Sequence, residues 1–130
     1  MKMDFAARAQ ALVGMRFRAQ ARGEGGLDCV GVVLATFGIP NDAAPSDYSL
    51  RGDHLREARD RLEAHFRRVP TSQAREGDVM LFELARDQVH LVVRTNRGFV
   101  HGHAGLRRVV ETPGAPEWPL AGVYRKRRSR

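Results

Sequence analysis

The 130-residue chain has a single cysteine, Cys29, and this scarcity excludes two common ways of stabilising a small protein. One cysteine cannot form an intramolecular disulfide, and structural zinc sites usually recruit several cysteines. The hydrophobic content of 42% is enough for a core without such cross-links. Cys29 therefore serves either as a small buried hydrophobe or as a nucleophile.

Long apolar stretches are also missing. No segment approaches the ~20 apolar residues of a transmembrane helix, and residues 1–8 contain no apolar run of signal-peptide length. We therefore expect a protein that is made in the cytoplasm and does not insert into a membrane. Any action outside the cytoplasm then requires delivery by another route. The length suits one domain, residues 1–130.

Acidic residues are outnumbered, with 15 Asp and Glu against 22 Lys and Arg and a net charge of +7. Such a balance suits an anionic partner, such as nucleic acid, a membrane surface or the cell-wall polymer, but it also describes an ordinary solvated surface. A nucleic-acid-binding domain is disfavoured because no aromatic residues are interleaved along a basic stripe and no known module signature is present.

The first half of the chain predicts three helices, each opened by an aspartate N-cap. They are residues 5–13 after Asp4, residues 28–37 from Asp28, and residues 54–68 after Asp53. The glycine-rich segment 15–27 predicts a loop.

The second half predicts short strands at residues 78–83, 89–95, 98–100, 109–111 and 123–125. Residues 96–98 predict a hairpin turn between two of them. Helices followed by antiparallel strands indicate an α+β domain.

One set of residues in this sequence is suited to nucleophilic catalysis. Cys29 lies in the first turn of a predicted helix, where the partial positive charge favours thiolate over thiol. A nucleophilic cysteine needs an imidazole base, and the base needs a third group to orient it. His90 lies in an apolar strand and His101 ends the next strand, so a tight turn would bring both imidazoles to one face. We expect His90 to take the thiol proton and His101 to hold the His90 ring.

Other interpretations of these residues stay open. Either histidine can be a hydrogen-bonded core residue. A Cys-His-His zinc site has suitable ligand types, but the usual close-pair spacing is absent and a fourth ligand or an open position would be needed. His103 follows a glycine, so we expect it at the rim of the site.

Four segments in order resemble the NlpC-type peptidoglycan endopeptidases, a family of papain-like cysteine peptidases. They are residues 14–17 with 25–32 around Cys29, residues 75–82, residues 89–93 around His90, and residues 98–101. The resemblance extends from about residue 11 to residue 124.

The resemblance implies a papain-like α+β fold, with the cysteine helix packed on a C-terminal antiparallel sheet. It implies hydrolysis of amide bonds in peptidoglycan stem peptides, with neither a cofactor nor a metal. By position, Cys29 is the nucleophile, His90 the base and His101 the orienting residue. The implied substrate contacts are Phe17, Gly26, Asp28 and His103.

Two positions depart from the common pattern: many members have Ser where this chain has Val30, and Tyr where it has Phe17. Residues 27–31 and 101–105 look most like members encoded with phage tails and gene-transfer particles. A particle of that kind would carry the enzyme to the wall in the periplasm, with tail or baseplate proteins as partners. The alternative is a structural tail-tip component of the same fold with weak or no catalysis.

Overall fold

A computed structural model describes residues 4–16, 22–23, 26–27, 29–40, 54–85, 88–103 and 105–127. Its helices are α1 Phe5–Gln10, α2 Cys29–Phe37 and α3 His54–His65. Its strands are β1 Arg22–Gly23, β2 Gly26–Leu27, β3 Phe66–Val69, β4 Val79–Ala85, β5 Gln88–Arg94, β6 Gly98–His103, β7 Arg108–Pro113 and β8 Leu120–Lys126. A 3₁₀ turn, Thr71–Gln73, precedes β4. None of the helices in these ranges is long and apolar enough to cross a membrane.

Six of the strands form one sheet in the order β3-β8-β4-β5-β6-β7, and every neighbouring pair is antiparallel. Strands β1 and β2 form a separate two-stranded ribbon just before α2. The chain therefore has the predicted α+β fold, with the cysteine helix packed on an antiparallel sheet.

The main core lies between the helices and one face of the sheet. Apolar residues of α2 pack against alternate residues of β5 and against β6, so α2 lies over the middle of the sheet. The fully buried members include Val32, Val93 and Tyr124. We call this set the helix-side core.

A second, smaller cluster covers the other face of the same sheet. Phe82, Val92 and Phe99 are buried there, and the half-buried Trp118 packs over them. Because successive side chains of a strand point to opposite faces, β5 supplies residues to both sides of the sheet. We call this set the Trp118 cluster.

The aspartate predicted to open the first helix does so. The side chain of Asp4 accepts a hydrogen bond from the backbone N–H of Ala7 at 2.9 Å, which satisfies one of the N–H groups left unpaired at a helix start. The helix ends at Gln10, three residues earlier than predicted, and a turn through Gly14 follows. The predicted caps Asp28 and Asp53 lie outside the described residues.

Two predictions from the first half of the chain are wrong in part. Residues 66–69 form strand β3 and do not continue the preceding helix, because they pair with β8 along their whole length. The segment 15–27, predicted as a loop, contains the β1–β2 ribbon, and Arg16 pairs with Arg108 at the β7 edge. The hairpin turn at residues 96–98 is present as predicted, closed by a Thr95 N–H to Gly98 carbonyl bond of 2.9 Å.

A buried ion pair ties the start of β4 to β8. Asp78 is 1% exposed, and its two carboxylate oxygens accept hydrogen bonds from Nε and Nη2 of Arg125, each at 2.8 Å. The backbone N–H of Arg75 also donates to Asp78, at 3.0 Å. A bidentate contact of this kind fixes the geometry of both partners and offsets the cost of burying the carboxylate.

Candidate active site

Cys29 is the first residue of α2, as the sequence predicts. It is half-buried and packs against the helix-side core, and α2 itself packs against β5 and β6. The backbone N–H groups of the first helical turn give this position partial positive charge, which favours the thiolate over the thiol. The position of Cys29 is therefore suited to a nucleophile.

His90 and His101 meet on one face of the sheet. Nε2 of His90 lies 2.9 Å from Nδ1 of His101, which is hydrogen-bond distance, and the two rings meet edge to face. His90 is half-buried on β5, and His101 is 4% exposed on β6. This is the contact that the two-strand pattern predicts; the catalytic roles of the two residues stay predictions.

The row of polar atoms continues onto β7. Nε2 of His101 lies 3.0 Å from Oγ1 of Thr112, so both nitrogens of His101 have a neighbour. Sequence reasoning missed Thr112. The spacing of the β6 and β7 segments contains a usable signal, because a residue on β7 opposite Phe99 shares the face on which His101 lies.

Trp118 packs on the histidine pair. Its ring centroid lies 5.4 Å from that of His90 and 5.9 Å from that of His101, and it also contacts Phe82 and Phe99. Sequence reasoning missed this residue too, because Trp118 stands in a segment with no regular structure between β7 and β8. The indole limits the access of water to the contact between the imidazoles.

His103 lies beside the pair, as a rim position should. Its ring centroid is 5.9 Å from that of His101, and Nδ1 accepts a hydrogen bond from the backbone N–H of Leu106 at 3.1 Å. His103 does not take the place of His101 next to His90. Its side chain is half-buried at the end of β6.

Burial sets the charge of the pair. Loss of water around the ring, together with the smaller effect of the charge of His103, lowers the pKa of His90 from 6.5 to about 4. Burial, followed by the charges of His90 and His103, lowers the pKa of His101 to about 4 as well. Both rings are therefore neutral at pH 7, and a neutral imidazole can accept a proton from a thiol.

The pair lies on the Trp118 face of the sheet, whereas α2 packs on the other face. Val89, Leu91 and Val93 belong to the helix-side core, so His90, which alternates with them along β5, points away from it. His90 is the third residue of β5, close to where the strand begins. The approach of Sγ of Cys29 to the His90 ring stays a prediction.

The structure describes only one of the three substrate contacts predicted ahead of Cys29. Phe17 and Asp28 lie outside the described residues, and Gly26 is described as part of the β1–β2 ribbon that leads into α2. Within the described ranges no group of three or more His, Cys, Asp or Glu residues is arranged to hold a metal ion.

The fold resembles several solved structures. NlpC1 from Trichomonas vaginalis superposes with a TM-score of 0.66 at 15% identity, over 94% of this chain and 44% of that one. The peptidoglycan hydrolase RipB from Mycobacterium tuberculosis gives 0.60 at 20% identity, over 94% and 62%. The P60 domain of an antigen from M. avium subspecies paratuberculosis gives 0.59 at 18% identity, over 95% and 91%. The chain has the papain-like fold of the NlpC/P60 proteins.

The similarity to the NlpC/P60 proteins lies in the fold and not in a matching sequence. No protein-family model and no curated protein sequence matches the chain. The chain spans 44% of the length of NlpC1 and 62% of that of RipB, so it corresponds to part of each of these proteins.

Proposed function

We propose that this chain is a cysteine peptidase that hydrolyses amide bonds in peptidoglycan stem peptides. The observation that carries the proposal is the hydrogen-bonded pair of His90 and His101 on an NlpC/P60 fold whose cysteine helix opens at Cys29. RipB, one of the proteins with a similar fold, is a peptidoglycan hydrolase, which supports this choice of substrate. A neutral imidazole that is shielded from water is suited to take the proton of a thiol at a helix start.

In the proposed reaction, His90 takes the proton of Cys29 and the thiolate attacks the carbonyl carbon of the stem-peptide amide. The backbone N–H of Cys29, at the start of α2, donates to the oxyanion of the tetrahedral intermediate. Protonated His90 then gives its proton to the leaving amine, and water hydrolyses the thioester by the same route. His101 holds the His90 ring throughout, through the 2.9 Å contact.

Four residues are proposed to line the substrate path. Phe17, Gly26 and Asp28 belong to the segment that leads into Cys29, and His103 stands beside the pair at the end of β6. Glycine at position 26 leaves room for a substrate backbone to approach closely.

Purified chain incubated with defined stem peptides, with product masses measured, tests the proposal and identifies the bond. Cys29→Ala should abolish turnover and His90→Gln should lower kcat at least ~100-fold, because each removes a group that takes part in bond breaking. His101→Ala should lower kcat less than these two and more than His103→Ala, because an orienting residue is less essential than the nucleophile. His65→Gln, at the end of α3, is the matched control and should leave kcat unchanged.

Retained hydrolysis in Cys29→Ala would contradict the nucleophile assignment. A larger loss in His103→Ala than in His101→Ala would reassign the third role. If the wild-type chain cleaves no stem peptide, the enzyme proposal fails and a structural component of the same fold takes its place.

We also propose that the chain reaches the wall as part of a phage-like tail or gene-transfer particle, and acts in the periplasm. The resemblance of residues 27–31 and 101–105 to members encoded with such particles supports this, as does the positive charge of +7, which suits an acidic partner protein or the anionic wall. Sedimentation of intact particles from the source should carry the chain with the tail proteins. If the chain stays in the soluble fraction, the particle proposal fails and the catalytic one is unaffected.

A further inference from the structure

Three side chains on neighbouring strands form a continuous row of hydrogen-bonding atoms. They are His90 on β5, His101 on β6 and Thr112 on β7, joined by contacts of 2.9 Å and 3.0 Å. The row uses Nε2 of His90 and both nitrogens of His101. It leaves Nδ1 of His90 as the ring nitrogen that can act on a thiol.

We propose that Thr112 is a positioning residue whose hydroxyl oxygen accepts a hydrogen bond from Nε2–H of His101 and thereby fixes which nitrogen carries the proton in both imidazoles. This inference rests on the proposed cysteine-peptidase function, in which His90 is the base.

The assignment follows from counting protons along the row. A neutral imidazole carries one ring proton. If Nδ1 of His90 is to accept the thiol proton, the ring proton of His90 sits on Nε2 and is donated to Nδ1 of His101. The proton of His101 then sits on Nε2, where the Thr112 oxygen accepts it. In the opposite order Thr112 donates, the proton of His90 sits on Nδ1, and the base is blocked.

The strand register explains how a side chain on β7 reaches this row. Thr112 lies opposite Phe99, and Val110 lies opposite His101, so the hydroxyl crosses diagonally to His101 on the shared face. The strands come close here because residue 98 is glycine: a Cβ at this position would lie 1.9 Å from the backbone oxygen of Thr112.

Removing the hydroxyl should shift the protons of both rings. His101 is 4% exposed, so in Thr112→Val its Nε2–H loses its acceptor in a site that water scarcely reaches. The ring then favours Nδ1–H, which points at Nε2–H of His90. His90 relieves this conflict by moving its own proton to Nδ1, and the nitrogen needed as base is occupied.

Nuclear magnetic resonance of the full chain, labelled with ¹⁵N-histidine and measured at pH 7, reads the tautomers directly. In the wild type we expect both His90 and His101 to carry the proton on Nε2. Thr112→Val should move the His101 proton to Nδ1, and Thr112→Ser, which keeps the hydroxyl, should restore the wild-type pattern. The His90→Gln and His101→Gln variants assign the signals.

Kinetics on a cleaved stem peptide give the second measurement. Thr112→Val should lower kcat about tenfold with KM changed less than about twofold, and Thr112→Ser should keep at least about half of kcat.

The proposal is overturned if wild-type His101 carries its proton on Nδ1, or if Thr112→Val changes neither the tautomers nor kcat. If Thr112→Val does not fold, a wild-type His101 proton found on Nδ1 still overturns the proposal. If the tautomer pattern is as expected but no stem peptide is cleaved, the assignment of Thr112 stands and the proposed function fails.

Discussion

Lowering the pH from 7 to 5 should destabilise the folded chain, because two buried imidazoles resist protonation. Burial lowers the pKa of His90 and of His101 from 6.5 to about 4. Between pH 6.5 and pH 4 the unfolded chain therefore binds more protons than the folded chain, so the free energy of unfolding falls as the pH falls. Above pH 6.5 both rings are neutral in both states, and their contribution no longer changes.

The size of the effect follows from the two pKa values. A single imidazole with these values would lower the free energy of unfolding by about 2 kcal/mol between pH 7 and pH 5. His90 is half-buried and shares a hydrogen bond with His101, so water screens part of the effect and the two rings titrate as a pair. We therefore expect about 2 kcal/mol for the pair, which is about half of the simple sum.

Urea unfolding at pH 7, 6 and 5 measures this loss, and the fluorescence of Trp118, the single tryptophan, reports on the site itself. The control is the His90→Gln/His101→Gln double variant, which keeps His103 and the other ionisable side chains. Between pH 7 and pH 5 the double variant should lose about 2 kcal/mol less of its free energy of unfolding than the wild type does. The reasoning is refuted if the wild type and the double variant lose the same stability between pH 7 and pH 5.

Three further predictions concern reactivity and stability. Cys29 should react with iodoacetamide at pH 6 to 7 faster than an ordinary thiol of pKa about 8.5. His90→Gln should slow this alkylation. Equal rates in the wild type and in His90→Gln would mean that His90 does not activate the thiol. Asp78→Ala should lower the free energy of unfolding by about 2–3 kcal/mol, because it removes both hydrogen bonds that the carboxylate accepts from the half-buried Arg125 guanidinium. Arg97→Ala, whose side chain is 73% exposed, should change it by less than about 1 kcal/mol. Gly98→Ala should separate β6 from β7 and lower the melting temperature, since the added Cβ would meet a backbone oxygen at 1.9 Å; an unchanged melting temperature would show that the strands adapt.

Local signals in the sequence were enough for the elements that position the site. The Asp4 cap, the helix that opens at Cys29 and the turn at residues 96–98 each depend on side chains or backbone preferences within a few residues, and all three are present. The tight turn also predicted that β5 and β6 are neighbours, and the meeting of His90 and His101 follows from that.

Features that depend on distant parts of the chain were not predictable in this way. Residues 66–69 have the i, i+3 apolar spacing of a helix. They form a strand because β8, more than 50 residues later, supplies the partner. Trp118 carries no sequence pattern of its own, and Thr112 could be found only from the pairing of β6 with β7. They reach the histidines because β7 and the segment before β8 return to the same face of the sheet.

The division of β5 between two faces decides how variants of the site should be interpreted. Leu91 and Val93 hold the sheet against the helices, so their truncation would remove buried contacts and cost stability first. His90 lies between such residues in sequence but on the opposite face, where its neighbours are His101 and Trp118. His90→Gln therefore leaves the helix-side core intact and removes a ring that resists protonation. A loss of hydrolysis in a folded His90→Gln chain can then be assigned to the missing base and not to a displaced α2.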